Sequence, residues 1–187
     1  MSQDHPPSAS ASANHDPAPA APASPPPKTP LSRAADRAKV AEESFSHPFN
    51  PNSKIFGRTL SDGTGLERLG VHWIRIPAGK ESFVYHRHRM EEEFIYILSG
   101  RGIAEIDGQD HEVGPGDFIG FGTSPPVAHH MRNPFSEDLV YLAAGERRPT
   151  EIAEYPKLGK MMVRVGMNIS VFETASAQAI GDYKKIE

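Results

Sequence analysis

The 187 residues suggest one domain, or one domain with a tail, and a net charge of −4 without a basic patch gives no case for nucleic-acid binding. The absence of cysteine removes disulfides, thiolate zinc sites and cysteine nucleophiles together, and fits a reducing compartment. No apolar run approaches the roughly 18 residues that span a membrane, and no basic n-region precedes an apolar core as in a secretory signal, so a soluble cytoplasmic protein is the expectation.

Residues 1–30 are alanine, proline and serine with almost no large apolar side chains. Such a stretch cannot bury enough surface to offset the entropy of ordering, and a disordered tail is expected. His5 and His15 lie in it and are read as solvated. Residues 31–53 form a lead-in. Thr29-Pro30 supplies an N-cap and a first-turn proline, and the alanine- and charge-rich run Leu31–Glu43 is predicted to be a helix. Pro48 and Pro51 turn the chain into extended structure.

From Lys54 short β-branched and aromatic runs recur between glycine, proline and asparagine signals. The predicted strands are Lys54–Arg58, Val71–Ile76, Ser82–His88, Phe94–Leu98, Gly102–Ile106, Gln109–Val113, Phe118–Phe121, Ala128–Asn133 and Leu139–Ala144. Asp107-Gly108 is a two-residue hairpin signal, because a type I′ turn needs positive φ at both positions. Met161–Val165 and Met167–Phe172 are read as a closing hairpin around Gly166. Many short strands at close spacing argue for an all-β sandwich or barrel over 54–173. Residues 174–187 form a C-terminal extension, a short helix or a loose end.

The chemistry concentrates at His86-Arg87-His88-Arg89-Met90-Glu91-Glu92-Glu93. Residues i and i+2 of a strand share a side, so His86 and His88 aim both imidazoles at one point. Glu93 can swing a carboxylate toward it, with Glu91 and Glu92 as competitors. Ile95 and Ile97 share the side of Glu93, and the two competitors are read as a solvated turn. A fourth group is available in His129, on a later strand that could pair near the first; His130 competes with it and points the other way. Three imidazoles and one carboxylate suit a divalent transition metal, Mn, Fe, Ni, Zn or Cu, and in an octahedral shell they leave two positions open.

At these residues the chain resembles the cupin superfamily. Gly79, His86, His88, Glu93 and Gly100 fill the first cupin motif, with six residues before His86, one more than usual. Gly116, Asp117, His129 and Asn133 fill the second. The loop Gly122–Val127 is two residues longer than the usual form and has Gly122 in place of its proline. The motif spacings favour Glu93 over its acidic neighbours and His129 over His130. The stretches Phe45–Pro48, Ile97–Gly102 and Tyr155–Gly159 are similar to those of small single-domain bacterial cupins without an assigned reaction.

The resemblance implies a double-stranded β-helix (jelly-roll) barrel, a homodimer, and a small-molecule ligand or substrate at the barrel mouth. It implies metal chemistry of the dioxygenase, decarboxylase or isomerase kind, with a non-catalytic binding or sensing module as the alternative. His47, His72 and His111 have no partner at useful spacing and are read as surface or packing residues. Trp73 is read as core or dimer interface. Tyr85, Arg87 and Arg89 alternate with the ligands and face away. Arg101 and Arg132 could meet an anionic substrate but are read as surface groups. Asp117 is expected to order the Gly116 turn.

Overall fold

The computed structural model describes residues 28–178. The expected tail lies outside the described residues except for its last three positions, as does the C-terminal extension beyond Gln178. Thirteen strands and one four-residue helix, α1 (Ala34–Arg37), make up most of the regular structure of the described residues. The strands are β1 (Glu43–Phe45), β2 (Ile55–Thr59), β3 (Leu69–Ile76), β4 (Arg87–His88), β5 (Glu93–Ser99), β6 (Gly102–Ile106), β7 (Gln109–Val113), β8 (Phe118–Phe121), β9 (His129–Arg132), β10 (Leu139–Glu146), β11 (Thr150–Tyr155), β12 (Lys160–Val165) and β13 (Asn168–Glu173). A six-stranded sheet runs β1-β2-β3-β10-β5-β8, a four-stranded sheet β13-β12-β11-β4, and a three-stranded sheet β7-β6-β9. The pairings among them are antiparallel. This is the all-β, double-stranded β-helix barrel that the strand pattern and the motifs led us to expect.

Alternation explains the layers. On β5, Ile95 and Ile97 point inward and are 3% and 0% exposed, while Tyr96 and Leu98 between them face out. They meet Ile74, Ile76, Leu139 and Tyr141 from neighbouring strands, and Ala104, Val113 and Met131 from the three-stranded sheet. Each fully buried aliphatic side chain contributes about 1.5–3 kcal/mol. The Asp107-Gly108 turn joins β6 to β7 with φ of 48° and 80°, as a type I′ hairpin requires. Asp117 Oδ2 accepts the Gly114 amide at 2.7 Å and closes the turn at Gly116. Asn133 is structural: its amide donates to the Ile76 and Glu137 carbonyls, tying the end of β9 to the chain before β10.

Three expectations change. The helix predicted over Leu31–Glu43 shrinks to α1, and residues 43–45 pair with β2. Tertiary contacts override propensity there: Glu42 pairs with Arg75 at 2.7 Å, and the Phe45 ring meets Phe83 at 5.3 Å. The strand predicted over Ser82–His88 is mostly irregular, because the segment leaves β9 at the His86–His129 bridge and joins β11 only at Arg87 and His88. A strand the sequence reading omitted, β11, occupies Thr150–Tyr155. Its inward face carries Glu151, Ala153 and Tyr155, so the apolar signal on that face is weak. Among the described residues no helix is long and apolar enough to cross a membrane.

Candidate metal centre

The change of sheet after Val84 places the first histidine. His86 and His129 exchange backbone hydrogen bonds at 3.0 and 2.7 Å, which brings their rings to 4.5 Å between centroids. The Val84 carbonyl accepts the His86 Nδ1–H at 2.7 Å, leaving the Nε2 lone pair turned inward. Two residues on, His88 pairs with Ala153 of β11, and its ring lies 4.9 Å from that of His86. Glu93, the first residue of β5, reaches across. Its Oε2 lies 3.2 Å from His88 Nε2 and 3.1 Å from His129 Nε2. Phe121 stacks on the His129 ring at 3.6 Å and 11°, fixing its plane, while His129 Nδ1 is buried with no hydrogen-bond partner among the described residues.

One ligand-type atom from each of His86, His88, Glu93 and His129 lies within 4.8 Å of the others. Donors each about 2.1 Å from one ion stand at most about 4.2 Å apart, so a few tenths of an ångström of closure would complete such a shell. The electrostatics agree. Burial, then the neighbouring His129 and His88, lower the His86 pKa to about 3, so its imidazole is neutral. Burial works against the His88 cation, but hydrogen bonds to Glu151 and Glu93 raise its pKa to about 9. Burial also opposes ionisation of Glu93, yet hydrogen bonds from His129 and His88 hold its carboxyl well below the usual carboxylate range. A buried carboxylate faced by three imidazoles thus holds a proton at His88, and a divalent cation could replace that proton at His88 Nε2.

Glu151 supports this arrangement from behind. It is 2% exposed; its Oε1 lies 3.3 Å from His88 Nδ1 and accepts the Arg89 amide at 3.2 Å. Its Oε2 has no partner among the described residues. A carboxylate accepting the Nδ1–H fixes the His88 ring with Nε2 toward the centre. Sequence spacing offered no sign of this residue, because it lies on β11, 63 positions after His88.

The centre opens into a cavity of about 320 Å³. Its wall includes two histidines read from sequence as surface or packing residues. His72 lies on the inner face of β3, and His47 stands beside Phe83 and Tyr155. Both have pKa values lowered by burial, with the Arg147 charge adding to the effect on His72. Glu91 is not solvated as expected: it is paired with Arg164 and accepts the Arg148 amide. Glu92 is exposed at the cavity rim. His130 faces away, toward Glu81 and Glu105. Arg87 and Arg89 also face away, both on Glu154. Arg101 pairs with Glu112, and Arg132 with Asp110. His111 is exposed.

Comparison with known proteins places this geometry. A family profile described as "Cupin domain" matches residues 72–145, which contain all four clustered side chains. A candidate sugar phosphate isomerase from Acidithiobacillus ferrooxidans is 32% identical, with a TM-score of 0.78 over 82% of this chain and 98% of that one. A sugar phosphate isomerase of the cupin superfamily from Silicibacter pomeroyi shares the fold at 24% identity and a TM-score of 0.66, covering 74% of this chain and 89% of its own. An uncharacterized protein of Methanocaldococcus jannaschii is 36% identical over 58 residues, 31% of this chain; the match spans 44% of that relative's length.

Proposed function

We propose that this chain, which belongs to the cupin superfamily, holds one divalent transition metal on His86, His88, Glu93 and His129 and acts as a metal-dependent enzyme on a small oxygenated molecule. The observation that carries this reading is the convergence of four ligand-type atoms within 4.8 Å beside a cavity of about 320 Å³. The donor set, three imidazoles and a carboxylate, suits Mn, Fe, Ni, Zn or Cu. When bound, such an ion supplies Lewis acidity to a substrate oxygen. The chain's own groups do the rest. Val84 and Glu151 hold the His86 and His88 rings by their Nδ1–H groups. Phe83, Val84, Ala143 and Met162 give the cavity an apolar lining that restricts water. The Phe49 amide donates to His47 Nδ1 at 3.3 Å, so His47, on the cavity wall, carries its ring hydrogen on Nε2. Glu93 cannot act as a free base while it ligates. The carboxylate of Glu92 at the rim has no side-chain partner among the described residues and is the group placed to take a proton at its Oε atoms.

Among the reactions this site supports, an isomerase-type proton transfer is favoured by the likeness to the Acidithiobacillus protein, which extends over nearly that whole chain. The test has two parts. Purified protein is expected to carry about one divalent metal per chain by elemental analysis, and His88→Ala to lose most of it. Protein loaded with each metal is then incubated with aldose and ketose phosphates and hydroxy acids in D2O, and deuterium at substrate carbon is read by NMR. Folded wild-type protein that takes up no metal sinks the site. Tight binding of a ligand recovered unchanged, with no deuterium exchange, favours a non-catalytic binding module.

A further inference from the structure

We propose that the cavity wall beside Glu93 is an anion subsite, formed by Arg147 and His72 over Gly70, that takes a phosphate or carboxylate group of the substrate. It rests on the reading of this cavity as a substrate site. The argument starts from register. Residues directly opposite in antiparallel strands share a face. Gly70, Gly145, Glu93 and Phe121 therefore form one row across β3, β10, β5 and β8, and His72, Ala143, Ile95 and Ile119 form the next. Both rows face inward. On the β10 and β3 side of Glu93 both positions of its row are glycines, with Phe121 on the other side, and the position beside His72 on β10 has only a methyl group. Between Glu93 and β3 the row carries no side chain of its own, and Arg147 folds over its far end at Gly70.

Arg147 packs directly over Gly70, beside His72. A methyl carbon placed there would lie 2.9 Å from Arg147 Nε, 3.4 Å from Arg147 Nη2 and 3.3 Å from His72 Nε2. No side chain fits there without displacing the guanidinium, so glycine at 70 lets Arg147 Nε and His72 Nε2 stand side by side on the cavity wall, where an oxyanion in the cavity would accept charge-assisted hydrogen bonds from them. The donors are oriented. Thr59 Oγ1 lies 3.3 Å from His72 Nδ1, and its hydroxyl donating there leaves the hydrogen on Nε2. Arg147 is held by Nη2 alone, to Asp62 Oδ1 at 2.9 Å and Ser61 Oγ at 3.3 Å. Among the described residues its Nε and Nη1 have no partner. A planar guanidinium tethered at one corner keeps its fork for a second oxyanion. The nearby acids are largely engaged elsewhere: Glu91 with Arg164, and Glu146 with Arg148. Asp62 shares Arg147 itself, Glu93 is committed to the imidazoles of the cluster, and among the described residues Glu92, at the rim, has no cation. The wall thus offers one cation and two kinds of N–H donor a short way from the proposed metal, the arrangement that would orient a small substrate with an oxygen at one end and an anionic group at the other.

The test uses full-length, Zn2+-loaded protein whose metal content is measured on each sample. Inorganic phosphate, and separately acetate, is titrated in, and the His72 side-chain resonances are followed by NMR. Wild type is expected to give saturable shifts. Arg147→Gln is expected to weaken binding at least tenfold. Gly70→Ala puts a methyl group where the guanidinium packs, which moves Arg147 away from His72, and is expected to do the same. Arg101→Gln, paired with Glu112 and away from the cavity wall, is expected to leave affinity unchanged. Saturation by phosphate alone assigns the subsite to phosphate, and saturation by both probes extends it to carboxylates. Unchanged affinity in both Arg147→Gln and Gly70→Ala, or an equal loss in Arg101→Gln, overturns the subsite. Phosphate binding by protein that takes up no metal keeps the subsite and removes the metal reading; full metal loading with unaltered phosphate binding in both variants does the reverse.

Discussion

Glu151→Gln isolates the buried charge behind the metal cluster. Gln has nearly the same shape, so no cavity opens, and its carbonyl can still accept from His88 Nδ1 and the Arg89 amide. What is lost is the negative charge behind His88. Replacing an outer partner of a metal-binding histidine typically weakens metal affinity 10–100-fold, or about 1.4–2.7 kcal/mol. The two contacts here, 3.3 and 3.2 Å, are longer than ideal charge-assisted bonds. That argues for the lower end, a loss of about tenfold. The assay is a Zn2+ competition titration against a chelator of known affinity at pH 7.5, for wild type, Glu151→Gln and Glu154→Gln. Glu154 lies on the same strand and faces outward, held by Arg87 and Arg89. It is the matched control, and its variant is expected to keep wild-type affinity. An affinity for Glu151→Gln within twofold of wild type would refute the role of the buried carboxylate; an equal loss in Glu154→Gln would show a strand-wide effect instead.

Two further outcomes follow from the same geometry. In metal-free protein, His88 has a folded pKa raised to about 9, so its contribution is full below the unfolded value of roughly 6.5 and is lost as pH rises through 9. His86, lowered to about 3, behaves oppositely: its contribution is full above roughly 6.5 and is lost as pH falls toward 3. Thermal melting of metal-free protein is therefore expected to peak near pH 6.5, and His88→Gln to flatten the alkaline side; an unchanged alkaline slope in that variant contradicts the assignment. Gly100→Ala is expected to be severely destabilising, by about 3 kcal/mol or more in urea unfolding. Gly100 has φ of +74°, and an added Cβ would sit 2.1 Å from the Asp138 carbonyl oxygen. A loss below about 1 kcal/mol would mean that this crossing of the β5–β6 turn with the chain before β10 is loose.

The sequence was most legible where a relation runs along one strand. His86 and His88 are two residues apart, and Ile95 and Ile97 follow Glu93 in step, so strand periodicity alone set their sides. The strand pattern likewise indicated the all-β barrel, because alternation and the Asp107-Gly108 turn are local signals. His129 was reachable only through motif spacing, since its nearness to His86 depends on a bridge between segments 43 positions apart. His72, Arg147 and Glu151 were not reachable at all. Each meets the cluster or its cavity through cross-strand register: β10 lies between β3 and β5, and β11 is laid against β4. Sequence separation then carries no information, and residue type misleads. Glu151 is an acid on an inward face, so alternation counts it as evidence against the strand that holds it. The helix over Leu31–Glu43 was lost for the converse reason: propensity favoured it, while the ion pair of Glu42 with Arg75 and the packing of Phe45 on Phe83 reward extended chain. Two of the missed residues, His72 and Glu151, are polar groups on the inward side of strands, where burial is costly without a partner, and Arg147 follows directly on the end of β10. Inward polar residues beside a predicted metal cluster are therefore the positions at which cross-strand neighbours should be sought first, and in this barrel that search leads to the wall formed by His72, Gly70 and Arg147.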